Sequence, residues 1–153
     1  MKTGTRRTAI AVSALSAVAL AAPAFAAPST SPTSLNLRAG KSVVKAHHTD
    51  TFTATLTSKG KALAGQTLSL QERTAPTTGH QTTWTDVASP TCNPPGCVTD
   101  ANGHVMFTVT PPISSHKNTQ KDQYRAVYNG GTVGTTTYGK SHSQIVTVTV
   151  KRS

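Results

Sequence analysis

Apolar and polar residues alternate with a period of two along most of the chain after residue 34. The cleanest run is Thr51 to Thr57, with Phe52, Ala54 and Leu56 on one side and Thr51, Thr53, Thr55 and Thr57 on the other. Val105, Phe107 and Val109 alternate in the same way with Met106, Thr108 and Thr110. Tyr124, Ala126 and Tyr128 alternate with Gln123, Arg125 and Val127, and Val146, Val148 and Val150 with Thr147 and Thr149. Period two on β-branched and aromatic residues places one face of a strand in a core and the other in water. Shorter runs predict further strands at Leu35 to Arg38, around Leu68 and Leu70, and at Thr83 to Val87, with Ser42-Val43-Val44 continuing the first strand along the sheet edge. Turn residues punctuate these runs at Gly40-Lys41, Ser58 to Lys61, Asp100-Ala101-Asn102-Gly103 and Asn129 to Gly134. Pro111-Pro112 ends a strand because neither residue can donate to a ladder. The spacing predicts seven or eight short antiparallel strands in an all-β sandwich.

The expected core follows from the inward positions: Phe52, Leu56, Leu68, Leu70, Trp84, Val105, Phe107, Val109, Tyr124, Val146 and Val148. Trp84 is expected to cover one sheet. Tyr124 lies two residues after Asp122, the position of a tyrosine corner whose hydroxyl bonds backbone across a connection.

Residues 1–26 read as a signal peptide. Lys2, Arg6 and Arg7 are its positive start, and the apolar run Ala9 to Ala22 is shorter than the roughly 20 residues of a membrane span. Ala24-Phe25-Ala26 supplies the small-residue cleavage pattern, and export by either the general secretory or the twin-arginine route stays open. Residues 27–33 read as a flexible Pro/Ser/Thr leader and residues 34–151 as one domain. The product is expected to be secreted, extracellular or associated with the cell envelope, with no membrane span after cleavage.

Charge changes the picture most. The whole chain carries +10, with 15 basic residues against five acids. The signal peptide removes three basic residues and no acid, which leaves +7 on the domain. Lys41, Lys45, Lys59, Lys61, Lys117, Lys121 and Arg125 are candidate polyanion-binding residues, since clustered cations attract anionic polymers. Candidate partners are an anionic cell-wall polymer, a polysaccharide or a protein. Specific nucleic-acid reading is not expected, because the aromatics are too few for a stacking platform.

Catalytic patterns are missing from the sequence. It contains no Gly-x-Ser-x-Gly, no His-Glu-x-x-His and no glycine loop opening a helix. The six histidines lack metal-ligand spacing, so no metal and no cofactor is expected, and the protein is read as non-enzymatic. Cys92 and Cys97 in an exported chain predict a local disulfide that closes Asn93-Pro94-Pro95-Gly96 into a small ring.

Leu63-Ala64-Gly65-Gln66-Thr67-Leu68, Trp84, Thr99 to Gly103 and the closing run Val146 to Val150 together resemble bacterial Ig-like domains of exported actinobacterial proteins. The resemblance covers about residues 34 to 151 and implies an immunoglobulin-like Greek-key sandwich used for adhesion, ligand binding or spacing. The Cys92–Cys97 insertion departs from that family's general pattern. A weaker similarity links the six-residue Cys loop and the Asp-Ala-Asn-Gly turn to secreted Ig-like carriers of enediyne chromophores, which carry a second disulfide missing here. The function expected is extracellular binding or adhesion at the cell envelope, with polyanions as candidate ligands. A small-molecule carrier with a cleft between the sheets and a purely structural spacer are the alternatives.

Overall fold

The computed structural model describes residues 29–75 and 82–152. The expected signal peptide and the first part of the leader lie outside the described residues. The strands, in chain order, are β1 (Thr30–Ser31), β2 (Thr33–Ala39), β3 (Val43–Lys45), β4 (Asp50–Ser58), β5 (Lys61–Ala62), β6 (Ser69–Thr74), β7 (Thr85–Asp86), β8 (Thr91–Asn93), β9 (His104–Val109), β10 (Thr119–Tyr128), β11 (Gly131–Val133), β12 (Thr136–Tyr138), β13 (Ser141–His142) and β14 (Val146–Lys151). One principal sheet runs β2-β4-β9-β8, with β5 on β4. The other, larger sheet runs β3-β14-β10-β6-β7, with β13 on β10, and β1, β12 and β11 form a third, small sheet. The principal sheets pack face to face as an all-β sandwich.

The long alternations all became strands, and their apolar sides fill the space between the sheets. Phe52 of β4 and Tyr124 of β10 meet at the centre, ring centroids 4.4 Å apart and planes tilted by 39°. Phe52, Leu56, Leu68, Leu70, Val105, Phe107, Val109, Tyr124 and Val148 are buried, and Val146 is partly buried against them. Trp84 is not in this core, which corrects the expectation. It is half-exposed and shares strand parity with Asp86, which pairs opposite the outward residue Gln71. The partner strand β7 has two residues only, too short for a pattern to set which side is inward.

Four further expectations change. Ser42 to Val44 does not extend the first strand along its own sheet. Gly40 N–H donates to the Thr51 carbonyl at 2.7 Å, then Thr149 N–H donates to the Ser42 carbonyl at 2.9 Å, so the chain crosses to the other sheet. There β3 pairs parallel with β14, and β1 pairs parallel with β12, so the sandwich is not wholly antiparallel. Residues 30–33, expected in the leader, belong to the fold: Thr30–Ser31 pairs with Thr137–Tyr138, and the Thr33 hydroxyl donates to the Gly139 carbonyl at 2.8 Å. The Tyr124 hydroxyl has no hydrogen-bond partner and therefore makes no tyrosine corner.

The turn before β9 locks one corner of the sandwich. Asp100 Oδ1 accepts from the backbone N–H groups of Asn102 and His104, each at 2.8 Å, the bonding that makes Asp a turn starter. Gly103 has φ 74° and its carbonyl accepts the Leu56 N–H at 2.8 Å. A Cβ on Gly103 would collide with the Leu56 carbonyl oxygen. Next to it the buried Thr99 hydroxyl donates to the Leu63 carbonyl at 2.7 Å and accepts the Gln66 N–H at 2.9 Å. Cys92 and Cys97 are joined by a disulfide across a 3-10 turn at Pro95–Cys97, just before this corner.

Two glycines with nearly the same φ separate strain from space. Gly60 has φ 76° and nothing within 4 Å of an added Cβ. Urea denaturation of Gly60→Ala should show a loss of about 1 kcal/mol from the left-handed backbone alone. Gly103→Ala should lose about 2–4 kcal/mol, because the collision adds to the strain. Equal losses in the two variants would show that the close approach at Gly103 does not matter.

Candidate functional site

Strand alternation puts a line of cations on the outer face of the larger sheet. Arg73 of β6 lies opposite Gln123, and Arg125 of β10 lies opposite Gln71. Lys121 is two residues before Gln123 on β10, and Lys151 of β14 lies opposite Thr119, two residues before Lys121. Lys45 of β3 lies opposite Lys151. The five cations therefore cross the sheet from β10 and β6 to the β3 edge by steps between neighbouring or diagonal positions. Asp86, at the opposite edge, is the one acid on this face among the described residues, and it accepts from Gln71 Nε2 at 3.1 Å. Such a one-sign surface attracts polyanions.

Of the seven candidate polyanion residues, the fold brings only Lys45, Lys121 and Arg125 onto this face. Lys59 and Lys61 flank the turn between β4 and β5, at the other end of β4 from Asp50. Lys41 lies in the crossing between β2 and β3, close enough to act electrostatically on Asp50. Lys117 lies in the connection before β10 and acts on Asp122. Lys151, one of the basic residues clustered near the end of the sequence, and Arg73, which was not a candidate, complete the line. Lys151 ends the closing alternation at outward parity, so its signal was readable. Arg73 follows only polar residues after Leu70, and no apolar marker carried the alternation that far.

The inward face has a second unusual region, also missed from the sequence. Three of the five acids point between the sheets at one end: Asp50 starts β4, Glu72 lies opposite Tyr124, and Asp122 lies opposite Thr74. Asp50 is 2% exposed and Asp122 3%. One oxygen of each, together with the Tyr124 hydroxyl, is buried without a hydrogen-bond partner. The Glu72 carboxyl approaches that hydroxyl without meeting hydrogen-bond geometry. The partnered oxygen of Asp122 accepts from Gln120 Nε2 at 2.8 Å, and that of Asp50 accepts the Thr51 N–H at 2.8 Å.

Burial raises the pKa of Asp50, Glu72 and Asp122, and the charge of Asp122 adds to the rise at Glu72. Burial, followed by the charges of Glu72, Asp122 and Asp50, raises the Tyr124 phenol as well. An open depression of about 250 Å³, lined by Glu72, Arg73, Gln120 and Asp122 among others, connects this end to solvent. No group of three or more His, Cys, Asp or Glu among the described residues has the spacing of a metal site.

The sign of the resulting pH dependence is fixed by these directions. The folded protein holds protons on the three carboxyls more tightly than the unfolded chain does, so their contribution is fully present below about pH 4 and is lost as pH rises through the raised folded values. Asp100 works the other way. Its pKa is lowered, first by the His104 backbone bond, so its contribution is lost as pH falls. Asp122→Asn keeps an acceptor for Gln120 and removes one titrating group. Urea unfolding across pH 4 to 7.5 should show Asp122→Asn gaining stability relative to the native chain as pH rises. A constant difference between the two proteins would mean that Asp122 is not protonated preferentially in the fold.

No protein-family model matches the chain, and no curated protein matches it.

Proposed function

We propose that this is a secreted, non-enzymatic, immunoglobulin-like binding domain that holds extracellular polyanions on the outer face of its larger sheet. The observation that carries this reading is the line Arg125, Arg73, Lys121, Lys151 and Lys45, with a single acid among the described residues at the far edge of the sheet. The strand orders β2-β4-β9-β8 and β3-β14-β10-β6-β7 support an immunoglobulin-like topology, in which the first strand region contributes to both sheets. The carrier alternative has less support, because Phe52, Phe107, Tyr124 and Val148 fill the space between the sheets.

Retention of the protein on purified cell wall at about 50 and 300 mM salt tests the reading. Neutralising roughly five anionic groups makes affinity fall by about three orders of magnitude across that range. Charge reversal at Lys45, Lys121 and Lys151 should abolish retention at low salt, whereas reversal at Lys59 and Lys61 should leave most of it. Retention that ignores salt, or that depends on Lys59 and Lys61 instead, would overturn the assignment of this face.

A further inference from the structure

Arg73 and Arg125 are held differently from the lysines on the same face. Both guanidinium carbons lie 4.4 Å from the centroid of the Trp84 ring, so they stand within twice that distance of each other. Arg73 Nε donates to Gln123 Oε1 at 2.9 Å, and Arg125 Nε donates to Gln71 Oε1 at 2.9 Å. Gln71 is fixed in turn by its bond to Asp86. Each guanidinium is thus held by a ring and by its Nε, while its two terminal nitrogens lie outside these contacts. No carboxylate among the described residues is hydrogen-bonded to either group.

The energetics leave room for an anion. Two like charges held on one ring repel each other, weakly in bulk water and more strongly at the effective dielectric of a protein surface. Each exposed cation–π contact returns only a small attraction. Attraction to the ring and mutual repulsion are of similar size, so the free pair is close to balance. An anion that bonds the terminal nitrogens of both groups offsets the repulsion and gains charge-assisted bonds.

Resting on the reading of this face as a polyanion surface, we infer that the Arg73–Trp84–Arg125 cluster is the subsite for one phosphate of a polyol-phosphate chain. A single planar fork already satisfies both oxygens of a carboxylate, whereas two forks held on one ring suit a tetrahedral group that offers oxygens in more than one plane. The remaining cations suit a chain that repeats its charge every few bonds. The steps from Arg73 to Lys121, Lys151 and Lys45 are diagonal or direct cross-strand neighbours, roughly 5–8 Å each. A uronic polysaccharide places its carboxylates on bulky rings and spaces them more widely. Nucleic acid fits less well, because Trp84 is the only tryptophan, its ring is already engaged, and Tyr124 and Tyr128 are buried.

Trp84 also serves as the reporter, since no other tryptophan emits. The intact protein is titrated by tryptophan fluorescence with poly(glycerol phosphate), polygalacturonate and oligothymidylate at matched charge concentration. Arg73→Lys/Arg125→Lys keeps the net charge and removes both forks. This variant should bind poly(glycerol phosphate) about tenfold more weakly and polygalacturonate almost unchanged. Should the double variant melt early, each single Lys variant carries the same comparison. Equal weakening for both polymers, or none for either, overturns the phosphate subsite. Oligothymidylate binding as tightly as poly(glycerol phosphate) overturns the polyol chain as ligand. If the native protein binds none of the three, the broader polyanion reading falls, and the subsite with it.

Discussion

Strand parity on β10 and β6 is the constraint from which the rest of this structure follows. Tyr124 must point inward because it packs on Phe52 at the centre of the sandwich. Successive side chains of a strand take opposite faces. Burying Tyr124 therefore also turns Asp122 and Gln120 inward and sends Lys121, Gln123 and Arg125 out. The cross-strand pairing of Tyr124 with Glu72 transmits the same choice to β6, where Glu72 goes in and Gln71 and Arg73 go out. One aromatic contact thus sorts the charges of two strands by sign.

The sorting costs stability on one side and shapes the surface on the other. Buried carboxyls with unpartnered oxygens are expensive while charged, and that burial raises the pKa of Asp50, Glu72 and Asp122. Turning three of the five acids inward leaves the outer face of the larger sheet almost without negative charge. The guanidiniums there find no carboxylate and are held instead by glutamine amides and an indole ring. A salt bridge would hold them as well, but it would occupy the nitrogens that an anion needs.

Legibility in the sequence depended on whether an alternation carried apolar markers. Phe52 to Leu56, Val105 to Val109 and Val146 to Val150 state their own parity, and the sandwich core follows from them. Trp84 sits beside a two-residue strand, and only the pairing of Gln71 with Asp86 shows which way that strand faces. Val43-Val44 is apolar at both positions, so no pattern distinguishes an extended edge from a crossing to the opposite sheet. Glu72 and Asp122 alternate plainly with Leu70 and Tyr124, and Asp50 with Phe52. Polar residues at inward positions nevertheless read as strand ends, because burial of charge is the rarer outcome. The lysine clusters suffered from a different limit: neighbours in sequence such as Lys59 and Lys61 turned out far from the line, and its members come from four strands.

The crossing of the first strand region between the sheets has a mechanical consequence. Within the principal sheets the chain starts with Thr33 opposite Ser58 and runs along β2 toward the Asp50 end, where β3 lies parallel to β14. The closing strand runs in that direction too and leaves the sandwich at the Asp50 end, beyond Lys151. Tension applied between the two ends of the sandwich would drag these parallel strands past each other in shear. Their bonds, including Ala46 N–H to the Lys151 carbonyl at 2.7 Å, would then share the load together instead of opening one by one like a zipper. Forced unfolding is governed by the rate of crossing the barrier rather than by equilibrium stability. Resistance to pulling and equilibrium stability are therefore separate properties of this sandwich.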